Sequence, residues 1–139
     1  MLKIALFNQK AGVGTTTTTL NLAAAYHRKQ RPVIMLDMDP QSRLTELFRH
    51  TGIDPQQALI RHYRDGVPLA ELLQPPRNGM QLIPAHAELM QLDTAFGRGP
   101  DTLRRLSVAL QAPAFQHSRG VVLMDCCPGK TTSPSLSPT

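Results

Sequence analysis

Cysteine is scarce in this sequence: there are two, Cys126 and Cys127, and they are neighbours. Adjacent cysteines rarely have the geometry to bridge each other, so a structural disulfide is excluded and a reducing compartment is expected. Five histidines without metal-ligand spacing, and so few thiols, leave no zinc site. Long apolar runs are missing as well. No stretch reaches bilayer length, and the apolar start is too short for a signal-peptide core and leads into a Gly/Thr loop rather than a cleavage site. These absences predict a cytoplasmic protein without a membrane segment. Acids are outnumbered, 10 against 15 basic residues, a formal charge of +5 that favours an anionic partner without identifying it. Internal repeats are absent.

What remains is a globular balance, 41% hydrophobic and 18% charged over 139 residues, enough for about one domain with a real core. Residues 2–7 form a short apolar run, which residues 8–14 cannot continue as a strand. Residues 15–29 turn helical: Leu20, Ala23, Ala24 and His27 recur at helical spacing, and the alanines permit close packing on a sheet. Residues 32–36 are again an apolar run, ended by Asp37 and Asp39. Strand, loop, helix and strand within about 36 residues make a right-handed parallel βαβ unit. Further along, the pattern predicts helices over 43–50, 55–64, 68–73 and 102–111, and strands over 80–83 and 120–124. The fold class is therefore α/β, with about four mostly parallel strands flanked by helices. Residues 130–139, KTTSPSLSPT, are Ser/Thr/Pro-rich and are expected to be a disordered tail after a domain of residues 1–129. A parallel sheet calls for a further covering helix after its fourth strand, so the chain reads as truncated.

The loop Asn8-Gln9-Lys10-Ala11-Gly12-Val13-Gly14-Thr15-Thr16-Thr17 lies between strand and helix. Small residues there let backbone N–H groups surround an anion, and the following helix adds its positive end. Thr16 offers a hydroxyl for a magnesium ion bridging two phosphates. Three other readings stand beside this one. The glycines serve a tight turn and the threonines a helix cap. Alternatively, Gly12-Val13-Gly14 with Asp37 makes a dinucleotide-binding turn, although Thr17 stands in place of its third glycine and residues 8–11 intervene. The ordinary G-x-x-x-x-G-K-[ST] loop fails at Gln9 and Thr15.

Residues 8–14, the threonine run and Leu20-Asn21-Leu22-Ala23-Ala24 together resemble the deviant phosphate loop, K-G-G-V-G-K-[ST]-T, of the ParA/MinD partition ATPases. The resemblance implies a P-loop NTPase-like fold binding ATP or ADP with Mg2+ through residues Lys10, Ala11, Gly12, Val13, Gly14, Thr15, Thr16 and Thr17. It makes Lys10 the signature lysine that reaches the partner subunit's phosphates in a nucleotide-sandwich homodimer, and Thr16 the magnesium-binding hydroxyl. Ala11 replaces a glycine. Thr15 replaces the second lysine, whose charge-assisted bonds to terminal phosphates are worth roughly 1.5–3 kcal/mol each. Hydrolysis is accordingly expected to be weak or lost, and some relatives with a threonine here look like divergent, scaffold-like members.

The similarity continues at two strand ends. Asp37-Met38-Asp39-Pro40-Gln41 resembles the family's D-x-D-P-Q, which implies that Asp39 orients the attacking water and Asp37 supports the magnesium shell. The alternative use of Asp39, or of Ser42, is a helix N-cap. Asp125-Cys126-Cys127-Pro128-Gly129 resembles the family's Walker B ending, with Asp125 holding magnesium through water and Cys127 departing from a proline. Met80-Gln81-Leu82-Ile83-Pro84-Ala85 resembles its third-strand stretch. The likeness spans residues 2–129. It implies a nucleotide-dependent dimerisation switch in chromosome or plasmid partitioning or cellular positioning, with a ParB-like activator, non-specific DNA and nucleoid association as further expectations. The alternatives are a non-catalytic scaffold or localisation protein and, more remotely, a dinucleotide-binding domain. The basic residues, among them Arg28, Lys29, Arg31, Arg43 and Arg119, are scattered in sequence and read as a solvated surface. The tail lacks the amphipathic membrane helix of MinD relatives.

Overall fold

The computed structural model of the chain describes residues 1–7, 14–48, 54–91 and 100–126. Four strands, β1 (Leu2–Leu6), β2 (Val33–Asp37), β3 (Met80–Ile83) and β4 (Val121–Asp125), form one sheet in the order β1-β4-β2-β3. Every neighbouring pair is parallel. Four α-helices are described: α1 (Gly14–Arg28), α2 (Arg43–Leu47), α3 (Ile60–Asp65) and α4 (Pro100–Ala109). The expected disordered tail, residues 130–139, lies outside the described residues.

Strand alternation divides the core between the two sheet faces. Val33, Met35, Val121 and Leu123 pack on one face with Ala23 of α1, Leu44 of α2 and Phe48. Ile34, Leu36 and Val122 pack on the other with Ile60 and Tyr63 of α3, Leu106 of α4, Leu110 and Phe115. Both faces of β2 and β4 are thus covered, which is why those strands read as unbroken apolar runs rather than alternating ones. β1 is one of the two edge strands and is only partly covered: Leu2 is 48% exposed, and Phe7, just beyond it, 63%.

Two helix expectations are corrected in type, and a third is shorter. Residues 55–64 do not form one helix. Asp54 Oδ1 accepts from the Gln56 N–H, closing a 3-10 turn at Pro55–Gln57, and Ala58 is extended at φ −108°, ψ 169°. The Leu59 N–H then donates to the Pro84 carbonyl at 2.9 Å, so the break docks onto the exit of β3 before α3 begins. The segment predicted over 68–73 is a 3-10 turn at Leu69–Leu72. α2 ends at Leu47, with Phe48 as its C-cap; residues 49 and 50 of the predicted 43–50 helix lie outside the described residues. Both acidic residues read as following strands are the last residues within them, Asp37 in β2 and Asp125 in β4.

Arg119 joins the basic stretch Arg28, Lys29 and Arg31, distant from it in sequence, where β2 and β4 start. Arg31 Nε donates to the Arg119 carbonyl at 2.7 Å, and Arg119 Nη2 to that of Lys29 at 3.5 Å, beside Arg28 at the C-terminal end of α1.

Leu123 is fully buried in β4, between β1 and β2. Leu123→Ala is expected to cost about 2–5 kcal/mol of unfolding free energy. The same truncation at half-exposed Leu2 is expected to cost under about 1 kcal/mol. Denaturant titration of the two variants checks the contrast.

Candidate phosphate and metal site at the strand C-termini

The parallel sheet sends the C-terminal ends of all its strands to one rim, where the helix after β1 also begins. Register places Asp37 directly beside Asp125 on the neighbouring strand, and the Met38 N–H donates to the Asp125 carbonyl at 3.0 Å. The first turn of α1 closes on this pair. Thr16 Oγ1 donates to Asp125 Oδ2 at 2.8 Å, a buried contact between residues 109 apart in sequence. Sequence positions 16, 37 and 125 are therefore one place in the molecule.

Thr15 and Thr16 are buried, while Thr17 is exposed on the same turn. Thr19 Oγ1 donates back to the Thr15 carbonyl at 2.8 Å. The Thr15 hydroxyl is buried and makes no hydrogen bond to any described residue. A buried unpaired hydroxyl is uncommon and calls for an explanation, of which a ligand is one. Lys10, Ala11, Gly12 and Val13 lie outside the described residues; Gly14 is the first residue of α1.

Asp37 is fully buried and satisfied by backbone and side chain alike. Its Oδ1 accepts from the Asp39 N–H at 3.0 Å. Its Oδ2 accepts from the Thr45 N–H at 2.8 Å and from the Thr45 hydroxyl at 2.6 Å. Burial nevertheless dominates and pushes its pKa from 3.8 up to about 7, against those three donors and with the Asp125 charge adding to the rise. Asp125 is raised too, by burial first and then by Asp39, while the Thr16 hydroxyl and Arg43 oppose the shift.

Asp39 is also buried, and its Oδ1 accepts from the Gln41 N–H at 3.0 Å. Its Oδ2 lies 3.5 Å from Arg43 Nη1, and Arg43 Nη2 donates to Gln41 Oε1 at 2.6 Å. Neither predicted side-chain cap forms. Ser42 takes a left-handed conformation at φ 59° and makes no capping bond, and Asp39 closes a local turn onto Gln41 instead.

Two residues of this rim were not legible in the sequence. Arg43 is one of many arginines there, and only the fold turns it onto Asp39. Thr45 carries no motif; its eight-residue separation from Asp37 becomes a contact because α2 folds back over the end of β2. A hydroxyl one turn into a helix that follows an acidic strand end is the signal available in retrospect.

Three carboxylates and two threonines supply hard oxygen donors, the chemistry of magnesium rather than of a soft metal. Among the described residues, no group of three His, Cys, Asp or Glu is spaced to hold a metal by itself. Mg2+ is commonly held through one or two carboxylates, with phosphate and water completing its shell. Asp37, already filled by three donors, fits a supporting part; Asp125 and Thr16 fit the ion more directly.

A family model described as "AAA domain" matches residues 1–134. The chain belongs to that family, and its similarity runs to partition proteins of the ParA/Soj kind. It is 35% identical to the chromosome-partitioning ATPase Soj of Thermus thermophilus over 98% of this chain and 47% of that protein. It is 29% identical to the chromosome partitioning protein ParA of Myxococcus xanthus over 90% of this chain and 44% of that one. Among solved structures, cobyrinic acid a,c-diamide synthase from Mycobacterium smegmatis with a bound ATP analogue and magnesium superposes with a TM-score of 0.77. That match, at 29% identity, covers 93% of this chain and 52% of the synthase. The chain thus spans about half the length of the relatives it matches. No helix among its described residues is long and apolar enough to cross a membrane.

The raised Asp37 carboxyl has a consequence for stability. Between pH 3.8 and about 7 the folded chain holds a proton there that the unfolded chain has released. Its contribution is therefore full below about pH 4 and is lost as pH rises through about 7. Denaturation midpoints measured across that window are expected to fall with rising pH, and the fall to be shallower in Asp37→Asn. Equal slopes would assign the titration to another group.

Proposed function

We propose that this chain binds Mg2+ with ATP or ADP at the rim formed by α1, β2 and β4, and serves as a nucleotide-dependent dimerisation switch in partitioning or positioning. The supporting observation is the Thr16–Asp125 hydrogen bond, which joins the phosphate-loop helix to the acidic strand end. The Thr15 hydroxyl, unpaired among the described residues, and the ATP-analogue and magnesium complex of the similarly folded synthase add to it.

In this reading residues 10–17 bind phosphate, through backbone N–H groups and the positive end of α1. Thr16 and Asp125 hold the magnesium, and Asp37 supports them. Bound Mg2+ supplies neutralisation of the charge that develops during phosphoryl transfer. Asp39 accepts a hydrogen bond from the attacking water and orients it. Lys10 carries the cation expected to reach a partner subunit's phosphates in a homodimer. A ParB-like activator, non-specific DNA and a cytoplasmic, nucleoid-associated location complete the proposal.

Thr15 sets the expected rate. A hydroxyl donates one neutral hydrogen bond where an ammonium gives charge-assisted ones, so hydrolysis is weak. The same residue supports the second reading, a scaffold that keeps the fold and the nucleotide without turnover. The match to the AAA-domain model argues against a dinucleotide-binding turn.

ATP binding to the full chain, followed by equilibrium titration, is expected to require Mg2+ and to weaken at least tenfold in Asp125→Asn. Thr15→Lys is expected to raise affinity or turnover about ten- to a hundredfold. A folded chain that binds neither ATP nor ADP would remove the proposal. Measurable wild-type turnover abolished by Asp39→Ala decides for the switch; its absence, with binding intact, decides for the scaffold.

A further inference from the structure

The position of Asp39 depends on a residue two contacts away. Thr45 is buried, and its hydroxyl does two things at once. It donates to Asp37 Oδ2 at 2.6 Å and accepts from the Ala85 N–H at 3.0 Å. Its own backbone N–H donates to the same carboxylate oxygen. The other oxygen of Asp37 holds the Asp39 N–H. A continuous buried chain therefore runs from the Ala85 amide at the exit of β3, through Thr45 and Asp37, to the backbone of Asp39.

We propose that Thr45 is a positioning residue, which fixes Asp39 at the rim by locking Asp37 and ties that rim to the segment leaving β3. The other bonds to Asp39 stay within its own turn or reach the surface. Its Oδ1 accepts from the Gln41 N–H at 3.0 Å and its carbonyl from the Ser42 N–H at 2.7 Å. The bond to Asp37 is therefore the one that ties the turn to the buried sheet end. The other carboxylate oxygen of Asp39 meets Arg43 at 3.5 Å, a long, part-buried contact to a side chain that is 31% exposed. Ser42 makes no capping bond. Thr45 by contrast uses its one proton and a lone pair on buried partners, so a side chain of the same shape without the hydroxyl orphans the Ala85 N–H and leaves Asp37 Oδ2 with only the Thr45 backbone N–H. Valine is that side chain; serine keeps the hydroxyl.

The proposal rests on the reading of Asp39 as the water-orienting acid, and residue-resolved amide exchange on the nucleotide-free chain tests the positioning separately. In Thr45→Val the Asp39 and Ala85 amides are expected to exchange about ten- to a hundredfold faster, while those of Val122 and Leu123 stay within about twofold. Thr45→Ser is expected to restore protection. In the wild-type chain, which needs no variant to fold, the Thr45 hydroxyl proton is expected to exchange slowly enough to give its own resonance. With Mg2+ and ATP, Thr45→Val is expected to keep ATP affinity within about threefold, while any wild-type turnover falls at least tenfold. An unchanged Asp39 amide, equal acceleration in the core strands, or no rescue by serine overturns the positioning role. Failure of the wild-type chain to bind ATP overturns the reading of the site instead, so the two failures are distinguishable.

Discussion

Three carboxylates, Asp37, Asp39 and Asp125, are buried at the ends of two adjacent parallel strands, and the rest of the rim is organised around holding them there. Burial disfavours their charge, and mutual repulsion adds to the cost. The described structure answers with donors: the hydroxyls of Thr16 and Thr45, the backbone N–H groups of Asp39, Gln41 and Thr45, and the Arg43 guanidinium. Asp37 and Asp125 nevertheless stay raised, with burial the largest cause at each. A cluster left in that condition by its own protein is one that an added dication stabilises, because the ion reverses the electrostatic argument at every oxygen it approaches.

Much of this was legible before any coordinates. Apolar runs of strand length separated by a helical stretch dictate a parallel sheet, and a parallel sheet dictates that Thr16, Asp37 and Asp125 share one end. The adjacency of β2 and β4 was not legible, because strand order depends on crossovers whose direction no local pattern records. Nor was the break at Ala58: its residues are compatible with helix, and what decides is a tertiary hydrogen bond from Leu59 to Pro84. Thr45 escaped for a related reason, since its partners lie 8 residues before it and 40 after.

The fold also sorts charge along the strands. Arg28, Lys29, Arg31 and Arg119 meet at the strand starts, while the three acids occupy the strand ends. A sheet built entirely from parallel strands makes such sorting simple, since each connection returns to the same end before the next strand begins. The +5 net charge is therefore a poor guide to the candidate site, which is locally acidic.

That local acidity gives Thr15 a meaning beyond a lost contact. Where the ParA pattern has a second lysine, this chain has a neutral hydroxyl, buried and unpaired among the described residues. With one positive charge fewer beside three carboxylates, a polyphosphate approaching the rim meets less attraction from the protein itself. Under the proposed reading, more of its neutralisation must then come from the accompanying dication and from Lys10. Nucleotide binding in such a site depends more steeply on magnesium than in one that keeps its lysine, and hydrolysis suffers more than binding, because the developing transition-state charge is where an ammonium contributes most. Under that reading the nucleotide is held longer than it is turned over, which suits a positional switch and a scaffold equally well, and Asp39 with its proposed support through Thr45, rather than the phosphate loop, is what separates the two.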